Sequence, residues 1–396
     1  MTHDLLFISL EPWDDIWRRN QFVCAALARR HPSMKILFVN PARDLSNAIR
    51  RRDFRDFRTG SHASVPGFPN IYLTRGTKVL PNTLSAGRAF NEMLLRRHVR
   101  SVAKRLGFHR PVLWLNPHSA VHMVGKMNEA AAIYDITDDW TSFKQAPSHI
   151  KLIKRQDKEL CAKADAVIVC SERLREMKSQ QPGVAQKLHL VPNGVDAAHY
   201  VGIGTTDAAI TESARDWPKP VFGYTGTIHP DRVDLALVEE LSGKIVKGSI
   251  VLVGPSHLSA EATDHLKRRG NVFFTGPVPY REIPLYMQGF DVCITPHRMT
   301  AFTESLNPIK LWEYLAAGKP IVSTDVAGFR DHPGHVRIAR DAEEFVKALQ
   351  EALVEDSQQI AARRAEAAGH SWESRVDEIE AVIVGVVEKG TVEHAV

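Results

Sequence analysis

Cysteine is scarce: Cys24, Cys161, Cys170 and Cys293 are the only four in 396 residues, with no CxxC spacing and apolar neighbours throughout. That excludes a disulfide framework and a thiolate zinc site, and predicts reduced core residues of a cytosolic protein. No stretch approaches the roughly 20 apolar residues needed to cross a bilayer. No cleavable apolar segment opens the sequence either, so the expectation is a chain neither secreted nor membrane-spanning. Charge of one sign is also nearly missing overall, the net being +5. The balance conceals a split: residues 1–200 hold 31 Lys and Arg against 18 Asp and Glu, and residues 201–396 hold 20 against 28. A basic first half suits an anionic partner such as a phospholipid surface.

What is present is ordinary globular material, 44% hydrophobic and 24% charged, and long enough for two domains. Short apolar runs at Leu5–Ser9, Lys35–Asn40, Val112–Leu115, Ala132–Asp135, Ala166–Cys170 and Leu188–Val191 read as buried strands, with helical patterns between several of them. A second series runs through Pro220–Gly226, Ile250–Gly254, Val272–Gly276, Asp291–Ile294 and Ile321–Ser323, separated by helical patterns at 233–241, 259–269, 281–289 and 308–317. This alternation predicts an α/β protein of two doubly wound, Rossmann-like domains facing a cleft. The expected bounds are 1–200, a linker at 201–219 that is rich in glycine and threonine, a second domain at 220–370, and a closing helix at 371–396 packed back on the first domain.

The most informative stretch is Asn307–Thr324. Asn307 is placed to cap a helix, Pro308 suits its first position, Leu311, Trp312, Leu315 and Ala316 recur at helical spacing, and Gly318-Lys319-Pro320 ends it. Lys310 and Glu313 then share one face beside a helix N-terminus, an arrangement fit for a diphosphate and a sugar hydroxyl. The competing reading is an ordinary i,i+3 surface ion pair. Residues 43–58 interleave six arginines with Phe54 and Phe57, which permits lipid or nucleic-acid contact or simply a solvated loop. A basic amphipathic helix is expected over 89–106. Asp135, Asp138 and Asp139 are oxygen ligands of the type hard cations take, but their spacing is not DxD, and helix capping explains them as well. No recognised nucleic-acid reader motif accompanies the basic residues.

Taken in order, Trp13-Asp14, Trp17 to Gln21, Tyr134-Asp135 with Asp138-Asp139, Pro192-Asn193-Gly194-Val195-Asp196, Gly276 to Tyr280, and Asn307-Pro308 with Lys310 and Glu313 resemble the GT-B glycosyltransferases of family 4. They look most like the bacterial teichuronic-acid, capsule and exopolysaccharide subgroup. The resemblance covers nearly the whole chain. It implies retaining, metal-independent transfer of a hexose from a nucleotide-sugar, a UDP-sugar favoured, to a glycan or lipid-linked acceptor, with no cofactor and no nucleic-acid partner. A cytoplasmic protein is expected, and the charge split between the halves adds the expectation of peripheral association with the inner face of the cell membrane.

Residue by residue, the resemblance makes Glu313 the second glutamate of an E-x7-E pair, the one that holds the donor ribose. Ser305 stands where the first would be, beside Glu304. Thr227 and Arg232 stand where the family has an Arg and a Lys on the diphosphate, and Lys310 is the substitute for the missing cation. Gly226, Pro279, Leu306 and Asn307 complete the donor side. His118 matches a histidine near the donor sugar, although a strand-end hydrogen-bonding role fits it equally. Trp13, Asp14, Arg18, Asp135 and Asp138 fall on the acceptor side. Two alternatives stay open: a sugar-nucleotide 2-epimerase of the same architecture, and an inactive sugar-nucleotide or glycan-binding subunit.

Overall fold

A computed structural model describes residues 3–54, 62–143, 145–204 and 209–393. The chain forms two compact units, Met1–Thr141 with Gln145–Val191 and Val376–Val396, and Ser142–Lys144 with Pro192–Arg375. In the first, β1 (Leu5–Ile8), α1 (Arg19–Arg30), β2 (Ile36–Asp44), α2 (Leu45–Arg51), β3 (His62–Val65), β4 (Phe68–Lys78), α3 (Ser85–Arg105), β5 (Val112–Leu115), β6 (Ala131–Ile136), α4 (Pro147–Lys163), β7 (Ala166–Val169), α5 (Glu172–Ser179) and β8 (Leu188–Leu190) follow in turn. The sheet order is β3-β4-β2-β1-β5-β6-β7-β8, parallel except for the β3–β4 hairpin. Leu6, Leu37, Leu113, Ala132 and Val167 bury one face of it, because continuous apolar strands need cover on both sides.

The second unit contains α6 (Glu212–Arg215), β9 (Val221–Thr225), α7 (Leu235–Lys244), β10 (Ser249–Val253), α8 (Ala260–Lys267), β11 (Val272–Gly276), α9 (Ile283–Met287), β12 (Val292–Thr295), α10 (Ile309–Ala316), β13 (Ile321–Thr324), β14 (Val336–Ala339), α11 (Ala342–Ala352) and α12 (Ser357–Ala368). Its sheet is β11-β10-β9-β12-β13-β14, every pair parallel. Strand order reverses between β9 and β12, and ligands bind at such a switch point, beyond the strand C-termini.

The units divide at Val191, earlier than expected. Val195 and Tyr200 are buried in the second unit's core, as are Ala214 and Trp217 of the stretch expected to be a linker. The final helix α13 (Trp372–Glu393) joins the first unit from Val376 on. There Arg30 reaches Asp377 at 2.5 Å and His31 reaches Glu380 at 2.6 Å. Of the basic stretch 43–58, the first residues extend β2 and α2; Arg55, Phe57 and Arg58 lie outside the described residues.

Candidate functional site

The second unit's switch point is built from glycines and cations. Gly226 follows β9 at φ 135°, Gly254 follows β10 at φ 135°, and Gly276 ends β11 at φ 77°, conformations that L side chains avoid. The Gly226 N–H donates to the Val253 carbonyl at 2.7 Å and the Gly254 N–H to that of Gly276 at 3.1 Å. A Cβ on Gly226 would overlap the Lys310 side chain, so the glycine lets the lysine lie across the end of β9. Tyr314, one turn further along α10, accepts from the Thr225 N–H at 2.9 Å and fastens helix to strand end.

Arg232 reaches the same place from the loop after β9. Its carbonyl accepts from the Arg298 N–H at 2.8 Å, and Val233 bridges His297. The guanidinium lies 5.6 Å over the Phe302 ring, and its Nε is buried without a hydrogen-bond partner among the described residues. His297, just past β12, is buried and bonds the Tyr224 hydroxyl at 3.3 Å through Nε2. Burial, Arg232 and Lys310 together hold its pKa well below the ordinary value, so it is neutral. Two fixed cations and a neutral imidazole thus gather at the strand ends, a fit for a polyanion.

The helix end beside them is open. α10 begins at Ile309 with Pro308 as its cap, no side-chain cap and no acidic residue in its first turn. Asn307 therefore does not cap it, contrary to expectation. Its Oδ1 accepts from the Asn193 N–H at 2.8 Å and its carbonyl from the Asn193 side-chain amide at 2.6 Å. The turn Asn193-Gly194-Val195-Asp196 has its use here, since two paired amides lock the entry to α10. The N–H groups and dipole at a helix entry favour an anion.

Glu313 is not part of a solvated surface pair. Burial raises its pKa, while Lys310, the Tyr200 hydroxyl and His199 pull the other way. The Tyr200 hydroxyl is buried and makes no hydrogen bond of good geometry among the described residues. His199 stacks on Tyr280 at 4.3 Å, just after Pro279, which opens the turn at 280–282. A carboxylate with a nearby tyrosine is equipped to take a pair of hydroxyls.

The stretch before α10 is disposed differently from the expectation. Glu304 is held by Arg330 through two bonds of 2.8 and 2.9 Å, since a forked guanidinium fits a carboxylate edge to edge. Ser305 is fully buried and donates to the Phe302 carbonyl at 2.7 Å, so its hydroxyl faces the interior. Leu306 and Thr227 remain half-buried; the Thr227 carbonyl accepts from the Tyr224 hydroxyl at 3.3 Å.

The first unit holds the remaining expected residues. Asp135 is fully buried and paired with Arg19 at 3.0 Å, since a carboxylate at that depth requires a cation; this removes it from the acceptor side. Asp14 accepts from the Ile16 N–H at 2.9 Å and pairs with Arg18 at 3.1 Å. Both organise the entry to α1, where Arg18 also meets Glu11 at 3.3 Å. The Trp13 N–H donates to Asn40 at 2.7 Å, and its ring meets Phe38 edge-on. Asp138 accepts from the Thr137 hydroxyl at 3.0 Å. His118 bonds Gln156 through Nδ1 at 3.0 Å, and burial lowers its pKa.

His118 also lines a cavity of about 1110 Å³ at this sheet's own switch point, between the ends of β1 and β5. This space is lined by first-unit residues. His297, Tyr200 and the cavity's cations were missed in the sequence. Polar residues just after a parallel strand mark a crevice, and applying that rule to β12 would have found His297.

The two tandem doubly wound units give the chain the GT-B fold of glycosyltransferases. Sucrose-phosphate synthase of Thermosynechococcus elongatus superposes with a TM-score of 0.73 at 15% identity, covering 98% of this chain and 100% of that one. Anabaena HepE in complex with UDP-glucose gives 0.67 at 15% identity, over 96% and 99%. Residues 219–355 match the family described as Glycosyl transferases group 1. A Bacillus subtilis (strain 168) protein, TuaH, named as a teichuronic acid biosynthesis glycosyltransferase, is 29% identical over 203 residues. That match spans 49% of this chain and 50% of the relative.

Proposed function

We propose that the chain is a retaining glycosyltransferase that moves a hexose from a nucleotide-sugar, favouring UDP-sugars, to a glycan or lipid-linked acceptor of a bacterial surface polysaccharide. The carrying observation is that Arg232, Lys310, a helix end with no side-chain cap and half-buried Glu313 converge at the second unit's switch point. The relative's name and the UDP-glucose complex of a structural neighbour agree with that reading.

Breaking a sugar–diphosphate bond builds negative charge on the departing phosphate and positive character on the sugar. In this reading Arg232, Lys310 and the N–H groups of α10 stabilise the phosphate without a divalent ion, an effect worth about 10²–10³ in rate for a single donor. Glu313 takes the ribose hydroxyls. The acceptor hydroxyl attacks from the face the phosphate leaves, and the phosphate accepts its proton.

Incubation with nucleotide-sugars, with and without lipid-linked acceptors, separates the readings. Acceptor-dependent release of nucleoside diphosphate is expected. Epimerisation with no acceptor present would replace the transferase by an epimerase, and nucleotide binding without turnover over a broad donor and acceptor panel would leave a binding subunit. The basic first half is further proposed to rest on the anionic inner leaflet; no helix among the described residues is long and apolar enough to cross a membrane. Cosedimentation with anionic vesicles should weaken with salt, and indifference to both salt and lipid charge would contradict this.

A further inference from the structure

His118 has one ring nitrogen engaged and one open. It begins the short turn 118–123 that follows β5, and its Nδ1 lies 3.0 Å from Oε1 of Gln156 on α4. Both residues line the first unit's cavity. An amide oxygen can only accept, so Nδ1 carries the proton. The ring is neutral at pH 7: burial lowers its pKa, Gln156 and Asp157 raise it, and His149 and Lys178 lower it further. A neutral ring with its proton on Nδ1 has a bare lone pair on Nε2. Among the described residues Nε2 has no hydrogen-bond partner, and it is not sealed from solvent.

Gln156 is itself held in place. It is buried, and its neighbour Asp157 accepts from the Tyr134 hydroxyl at 3.0 Å, the Lys178 ammonium at 2.6 Å and the Gln181 amide at 3.3 Å. Donors from β6, from α5 and from just beyond α5 thus fix this turn of α4, and with it the amide that faces His118. We infer that Gln156 is a positioning residue, which keeps His118 as the Nδ1–H tautomer so that Nε2 accepts a hydrogen bond from a sugar hydroxyl. The tautomer has a consequence for specificity. A hydroxyl has a proton to give Nε2, whereas an ionised phosphate or carboxylate would meet a lone pair with none. The inference rests on the glycosyltransferase reading and deepens it by naming the residue that sets the state of the ring.

The full chain, labelled with nitrogen-15 in its histidine rings, reads the tautomer directly, with His118→Gln marking the signals of this ring. A protonated Nδ1 and a bare Nε2 are expected at neutral pH. Gln156→Met removes the acceptor at similar volume. It should move much of the proton to Nε2 and lower acceptor-dependent turnover about tenfold at every pH, the worth of roughly one hydrogen bond, with UDP affinity unchanged. Gln156→Glu keeps an acceptor on Nδ1 but favours the imidazolium. Its turnover should fall at neutral pH and recover toward that of the wild type at alkaline pH, a rescue that a role in packing alone does not produce. A wild-type proton on Nε2, an unchanged tautomer in Gln156→Met, or equal impairment of both variants at all pH overturns the inference. A wild type that carries the Nδ1 proton but turns over no nucleotide-sugar would fault the transferase reading and leave the pairing of Gln156 with His118 standing.

Discussion

At the scale of single residues, Lys310 and Arg232 owe their places to neighbours that carry no charge. Gly226 leaves the space that Lys310 fills, and the bridge between Val233 and His297 keeps Arg232 at the end of β12. Gly226→Ala should therefore strain the backbone at φ 135° and displace the lysine at once, costing about 1–3 kcal/mol of stability. Nucleotide affinity should fall with it, and a thermal melt beside a UDP titration checks both. Arg232→Ala and Glu313→Ala should each lower turnover by about 10²–10³ with the melting temperature held; near-normal rates would show that the donor lies elsewhere. Glu313 and Lys310 were legible in the sequence because helical spacing set them on one face. Asp135 was not, because nothing local reveals that Arg19, 116 positions away in sequence, would neutralise it.

At the scale of elements, α10 is the helix whose boundaries and buried face the sequence predicted, Leu311, Trp312, Leu315 and Ala316 all being buried. Gly318 closes it at φ 71°, its N–H donating to the Leu315 carbonyl at 2.9 Å. Its cap was read wrongly, since a side chain's choice between capping its own helix and pairing with Asn193 depends on a loop 114 residues away. Replacing Asn307 by Ala leaves the buried Asn193 amide without this acceptor. It should lower stability by about 1–3 kcal/mol in a denaturant titration, with a larger loss of nucleotide affinity than distance from the cations alone would give. The apolar strands were legible for the same reason as α10. β4, with polar and apolar residues mixed, and the four-residue β14 were not, since sheet neighbours rather than local pattern decide such strands.

At the scale of the whole molecule, buried neutral histidines set the response to acid. His118, His122 and His297 all have pKa values lowered by burial, His122 to about 4. The unfolded chain titrates near the ordinary value of about 6.5 and so binds more protons in the interval below it. Stability is full above about pH 6.5 and declines as pH falls toward 4. His122 alone accounts for about 3 kcal/mol of that decline. The thermal midpoint should drop between pH 7 and pH 5, and His122→Gln should flatten the drop; an acid response identical to wild type would contradict the assignment.

The architecture followed from the alternation of apolar runs with helical patterns, but the first unit's cavity did not, because a cavity is made by residues far apart in sequence. The most direct test of the central claim is titration of UDP into the wild-type chain and the Arg232→Ala, Lys310→Ala and Glu313→Ala variants, with a chelator present. Binding by wild type, with at least a tenfold loss in each variant at unchanged melting temperature, is the predicted result. Equal affinity in all four proteins would contradict a nucleotide-sugar site at the end of β9 and the start of α10.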